Sequence, residues 1–217
     1  MSPKAGWALD EIAARIARDL EPGSCVNLGI GMPIRVGAHL DPAAGVILTS
    51  ENGLIGIGPP PEPNRHDPDV IDAGKGPVTL LPGASVLDHA DAFALIRGGR
   101  LDVGVLGAFQ VSQRGDLASW RRPTEPLGSV GGAMDIAVGA RKRYAVMMHC
   151  DKSGEPKIVQ YCTYPLTAPR CVNRIYTDMA VIDVTEQGLV VREIHPGLSL
   201  ADLRAVTGAS LLPLAAN

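Results

Sequence analysis

Short runs of β-branched and aliphatic residues that empty straight into glycine-bearing turns recur along this 217-residue chain, and stretches of helical period stand between them. Cys25-Val26-Asn27-Leu28 leads into Gly29-Ile30-Gly31, and Val46-Ile47-Leu48-Thr49 leads into Ser50-Glu51-Asn52-Gly53. Four apolar residues are too few for a helix but suit a buried strand. Leu9, Ile12, Ala13, Ile16 and Leu20 instead form one stripe of a first helix, closed by Pro22-Gly23. Pro33 opens a second helical stretch through Ile34, Val36 and Leu40, and a third spans 90–96 with Gly98-Gly99 behind it. Strand, helix and strand in alternation bury themselves best as a sheet covered by helices. The expectation is therefore an α/β fold over 1–217 as a single domain, with a largely parallel or mixed sheet flanked by helices.

Further strands are expected at 78–81, 103–106, 143–148, 158–163, 180–185 and 189–194, and further helices at 133–140 and 199–206. Strands outnumber helices in the later half, which points to a mixed sheet there. The stretch from Gly53 to Asp69 is dense in Gly and Pro, including Pro59-Pro60-Pro61, and is expected to be an ordered surface loop.

Composition narrows the function. A chain of this length buries roughly 70% of the surface its unfolded form exposes, so its core needs neither disulfides nor metals. The net charge is −3, with Lys and Arg scattered rather than blocked, which argues against nucleic acid or an anionic membrane as partner. Cys25, Cys150, Cys162 and Cys171 lack the close pairing of a zinc site and the density of a secreted scaffold. They read as reduced, cytoplasmic thiols, with no metal site. Asp10 and Glu11 interrupt the N-terminal region, which has no signal-peptide run, and no apolar run reaches membrane-spanning length.

Three glycine turns, 27–31, 50–53 and 128–132, each follow a strand or lead into a helix. In an open α/β sheet such turns gather at the carboxyl edge of the strands, where ligands bind. Any one of them alone reads more readily as local structure, and Glu51 alone as a solvated loop acid. Other strings carry less. Ala73-Gly74-Lys75-Gly76 lacks the spacing and terminal hydroxyl residue of a P-loop. His149-Cys150 has no second pair of ligands at metal-binding spacing and fits packing at a strand end. Arg65, His66, Arg121 and Arg122 are candidates for meeting carboxylates or phosphates, or are simply solvated.

Ser50-Glu51-Asn52-Gly53, followed by Leu54-Ile55-Gly56-Ile57-Gly58-Pro59, resembles the active-site signature of the family I 3-oxoacid coenzyme A transferases. The likeness spans almost the whole chain. It includes Asn27-Leu28-Gly29-Ile30-Gly31-Met32-Pro33, Asp72-Ala73-Gly74-Lys75, Leu80-Leu81-Pro82-Gly83-Ala84-Ser85, Ile96-Arg97-Gly98-Gly99 and Gly131-Gly132-Ala133-Met134-Asp135. One departure is Met148, where many family members carry Glu. Gln160-Tyr161-Cys162-Thr163 and Arg174-Ile175-Tyr176-Thr177-Asp178 look more like the 3-oxoadipate transferases than the acetoacetate enzymes.

The resemblance implies that this is the family's glutamate-bearing B subunit, with Glu51 as nucleophile. It implies that Asn27, Gly29, Gly31, Gly131 and Gly132 line the site and help hold the oxyanion, while Ser50, Asn52 and Gly53 shape the turn. It further implies that the partner is a separate A subunit, in a heterodimer or heterotetramer. The substrates it implies are an acyl-CoA and a 3-oxo acid, with coenzyme A as substrate and covalent intermediate rather than a resident cofactor. The residue type suits the chemistry: a carboxyl group with a reference pKa of about 4.3 is ionised at neutral pH and needs no base to activate it. Three alternatives stay open: half of an acetoacetate- or butyrate-type transferase, an acyl-CoA hydrolase, and a non-catalytic sensor of acyl-CoA or sugar phosphate.

Overall fold

The computed structural model describes residues 5–124 and 126–213. Its backbone is a ten-stranded mixed sheet. At the centre run five parallel strands in the order β2 (Ile47–Thr49), β1 (Cys25–Leu28), β5 (Val103–Gly107), β8 (Lys142–Val146) and β10 (Arg174–Tyr176). Beyond β2, β3 (Leu54–Ile57) and β4 (Leu80–Val86) add antiparallel strands. Beyond β10, the hairpin β11 (Ala180–Thr185) and β12 (Gly188–Ile194) is followed by β13 (Leu211–Leu212), which pairs parallel to β12. A second, three-stranded sheet holds β6 (Gln110–Ser112) between β7 (Leu117–Ala118) and β9 (Ile158–Val159).

Strand alternation divides the core in two. Val103 and Val105 of β5 and Tyr144 and Val146 of β8 face α1 (Leu9–Arg18), whose Ile12, Ala13 and Ile16 are buried. Leu106, Ala145 and Met147 face the other way, toward α3 (Ala133–Gly139), the small sheet and Leu203 of α4 (Leu200–Ala205). Gly104 admits α3, because a Cβ there would overlap the Ile136 side chain. Gly139 lets α3 close on α2 (His89–Arg97), since a Cβ there would overlap the Ile96 carbonyl oxygen.

Four expectations change. The stretch after Gly53 is not all loop: Leu54 and Ile57 bury their side chains, and β3 forms there, with Gly56 at φ +84° where the register shifts. The strand expected at 78–81 begins at Leu80 and continues through Pro82 to Val86, which the sheet accepts because β4 lies at its edge. The helical stretch after Pro33 is a 3₁₀ helix, Met32–His39. Only Ile158–Val159 of the 158–163 run pairs as strand; at its far end the amide oxygen of Gln110 accepts from Thr163 N at 2.8 Å and from Tyr164 N at 3.2 Å instead of a ladder partner.

Candidate active site

The carboxyl ends of β1 and β2 lie side by side, paired in register through Asn27 and Thr49. Just past β2 the chain turns: Gly53 N donates to Ser50 O at 3.1 Å and Ser50 N to Leu54 O at 2.9 Å. Gly53 adopts φ +113°, and a Cβ there would overlap the Leu87 carbonyl oxygen, so this turn needs glycine on both counts. Glu51 is carried at its tip, half-buried.

Asn27 is fully buried, and its amide nitrogen donates to Glu51 Oε2 at 3.2 Å and to Thr49 O at 3.3 Å. Its Oδ1 is buried and unpartnered among the described residues, as is the Ser50 hydroxyl. An orphaned amide oxygen on the very side chain that holds a half-buried carboxylate is costly for stability alone. Ser50 also lines a small cavity of ≈ 50 Å³ between the sheet and α2, with Cys25, Ile55, Leu95 and Leu101 among its walls.

The third glycine turn arrives from the other side. Gly132 is buried at the start of α3, and a Cβ there would lie 3.3 Å from Glu51 Cγ. The N–H groups of Gly131 and Gly132 donate to no backbone acceptor among the described residues. The 27–31 and 50–53 turns and the 128–132 turn therefore meet at one carboxylate. Phe93 of α2 shares this place: its Cζ is also 3.3 Å from the missing Gly132 Cβ. Sequence reading passed over Phe93, although it is one of only two phenylalanines in the chain and has His89 and Arg97 at helical spacing on either side.

Not every expected residue faces the carboxylate with a free donor. Gly29 spends its N–H on Val105 O at 2.8 Å, so it locks β1 to β5 and has none left for an oxyanion. Asn52 turns away, donating from Nδ2 to Ile71 O at 2.7 Å, and so ties the following loop to the Glu51 turn. Gly31, at φ +88°, caps the 3₁₀ helix from an exposed position.

The other candidates resolve into structure. Gly74 and Lys75 form a tight turn closed by Asp72, whose Oδ1 accepts Gly76 N at 2.8 Å. His149 is fully buried, with Nδ1 3.1 Å from Thr177 Oγ1 and Nε2 2.9 Å from Thr207 Oγ1; burial holds its pKa down to about 4. Burial pushes the thiols the opposite way, Cys162 to about 12 and Cys171 to about 11, so neither is a thiolate at neutral pH. Arg122 stacks 4.4 Å over Phe109, in the connection between β5 and β6. Among the described residues no group of three His, Cys, Asp or Glu stands close enough to hold a metal, and no helix is long and apolar enough to cross a membrane. An open basin of ≈ 560 Å³ lies around Arg204 and Ser210 at the β13 end of the sheet, away from Glu51.

Residues 9–205 match the family described as Coenzyme A transferase. The chain is 50% identical to the B subunit of 3-oxoadipate CoA-transferase from Acinetobacter baylyi, covering 94% of each chain. It is 51% identical to the protein of the same name from Pseudomonas putida, covering 93% of this chain and 95% of that one. Among solved structures it superposes on an acyl-CoA transferase from Escherichia coli O157:H7 with a TM-score of 0.76 and 23% identity; the match covers 95% of this chain and 42% of that longer one.

Proposed function

The chain belongs to the coenzyme A transferase family, and from that premise we propose that it is the B subunit of a succinyl-CoA:3-oxoacid CoA-transferase, with 3-oxoadipate as the preferred acceptor and Glu51 as the nucleophile. The observation that supports Glu51 most is its setting: a carboxylate at the carboxyl edge of a parallel sheet, held by the Asn27 amide at 3.2 Å and flanked by the Gly132 gap. The 3-oxoadipate preference rests on the two bacterial relatives, each about half identical over almost its whole length.

In this reading Glu51 attacks the thioester carbonyl of the donor, forming a mixed anhydride and releasing coenzyme A as thiolate. The thiolate attacks the glutamyl carbonyl, the donor acid leaves, and the coenzyme is held as a glutamyl thioester. The acceptor carboxylate then attacks that thioester and the steps run in reverse. Thioester free energy is conserved throughout. Each acyl transfer passes through a tetrahedral oxyanion, for which one well-placed donor is typically worth about 2.7 to 4 kcal/mol. The Asn27 amide and the N–H groups of Gly131 and Gly132 are the donors at hand.

The partner in this reading is an A subunit that completes the site. It is supported by the names of both bacterial relatives, each designated as the B member of its enzyme. The setting is the cytoplasm, a reading supported by four cysteines that all stand as free thiols.

The test is trapping. The reconstituted complex is incubated with succinyl-CoA, then with hydroxylamine, and the peptide carrying Glu51 is weighed. A hydroxamate at Glu51 is expected, and its absence from a complex that still transfers coenzyme A sinks the covalent reading.

A further inference from the structure

A glutamyl thioester has two possible fates, because water can attack the same carbonyl as the acceptor carboxylate. If water wins, Glu51 is regenerated, free coenzyme A thiol leaves, and the net reaction is hydrolysis of the acyl-CoA. A transferase must therefore wall this carbon off from water. On the side of Glu51 formed by α2 and α3, one large apolar group stands in place to do so.

That group is the Phe93 ring. Gly132 has no side chain, and the space this leaves is flanked by both Glu51 Cγ and Phe93 Cζ, each 3.3 Å from where a Cβ would be. The ring tip and the glutamate methylenes thus converge on the same buried backbone position. The ring is also held. His89, one turn before it, packs at a centroid distance of 4.8 Å, and the Arg97 guanidinium, one turn after it, lies 5.3 Å from the ring centroid. Arg97 is fixed in turn by Asp135 of α3, Nε to Oδ1 at 2.7 Å. The helix bearing the ring is capped by Asp88, whose Oδ1 accepts Ala90 N at 2.8 Å, and is anchored by the buried Ala92 and Ile96.

Core packing does not account for this placement. Ala92 and Ile96 do the burying on α2, and the close approach of Gly139 to Ile96 already seats α3. Phe93 is only half-buried and is outside the fully buried core. An ordered water needs two to four polar partners, and an aromatic face supplies none.

Building on the assignment of Glu51 as nucleophile, we propose that Phe93 is the positioning residue that excludes water from the glutamyl thioester and so sets transfer over hydrolysis. The experiment uses the two-subunit complex and reads two products in one reaction: free thiol released and coenzyme A delivered to the acceptor. Phe93→Ala is expected to raise the ratio of thiol release to transfer by about tenfold. Phe93→Gln keeps the bulk, should one variant fold poorly, but offers water two hydrogen-bonding groups, and it raises the ratio as well. Phe93→Leu, apolar and bulky, stays within about threefold of the parent. Slower transfer with an unchanged ratio in both the Ala and Gln variants overturns the proposal and leaves Phe93 a packing residue. Hydroxylamine trapping runs alongside: a parent complex without a Glu51 adduct overturns the nucleophile assignment, whereas an adduct with an unchanged ratio overturns Phe93 alone.

Discussion

A single hydrogen atom in place of a side chain decides much at Gly132. Its backbone, at φ −82° and ψ 2°, is open to any residue, so Gly132→Ala should fold. The added methyl group would nonetheless sit 3.3 Å from Glu51 Cγ and from Phe93 Cζ, tight enough that both must give by a few tenths of an ångström. Misplacement on the order of 1 Å can cost about 100-fold in rate, so the smaller shift in Gly132→Ala should leave thermal stability intact while costing up to about tenfold in kcat. Gly53→Ala belongs to another class. There the methyl group would overlap the Leu87 carbonyl oxygen at a φ of +113°, and the variant should lose more than about 2 kcal/mol in urea unfolding. Much of this was readable in advance: the Ser50 to Gly53 string marked the turn, and Asn27 and Gly132 were expected near Glu51. What could not be read was direction. Sequence does not say that Asn52 points to Ile71, that Gly29 gives its N–H to Val105, or that Phe93 reaches across to α3.

Elements far from the site are held by a polar knot with its own pH dependence. Thr177 Oγ1 accepts backbone N–H bonds from Met179 at 3.1 Å and Ala180 at 3.0 Å, so it has little capacity left to accept a hydrogen bond from a protonated His149 Nδ1. Thr207 Oγ1 donates to Leu203 O at 2.7 Å and accepts from Nε2, which joins the end of β8 to α4. The buried ring is therefore stable only when neutral, with a pKa near 4 folded against 6.5 unfolded. The unfolded chain binds the proton more readily between those values, so this contribution is whole above pH 6.5 and is lost as pH falls toward 4. Urea unfolding should show stability dropping by roughly 3 kcal/mol across that window on account of this group, and His149→Gln should flatten the slope even if it lowers the plateau. Strands such as 180–185 were legible because their β-branched runs match the pleat, and their bounds agree with the structure. β3 was not, because its four residues sit among glycines and prolines and are fixed by β2, β4 and burial rather than by local preference.

The whole molecule places its candidate chemistry at one edge of one sheet. Parallel central strands send Asn27, Glu51 and the start of α3 to the same side, which is why short sequence motifs far apart in the chain report on one place. The alternation of strands and helices made this arrangement legible, whereas the antiparallel wings and the small second sheet depend on contacts distant in sequence. At this scale the account expects the isolated chain to be inactive in coenzyme A transfer and activity to appear once the A subunit is added; transfer by the purified chain alone would contradict the shared site. The most direct measurement follows oxygen atoms. When the acceptor acid carries heavy oxygen in its carboxylate, the anhydride route leaves one of those atoms on Glu51 each time the acceptor departs as its thioester. Mass spectrometry of the Glu51 peptide after a single turnover by the complex should show one heavy oxygen, and product formation with an unlabelled Glu51 would contradict the account.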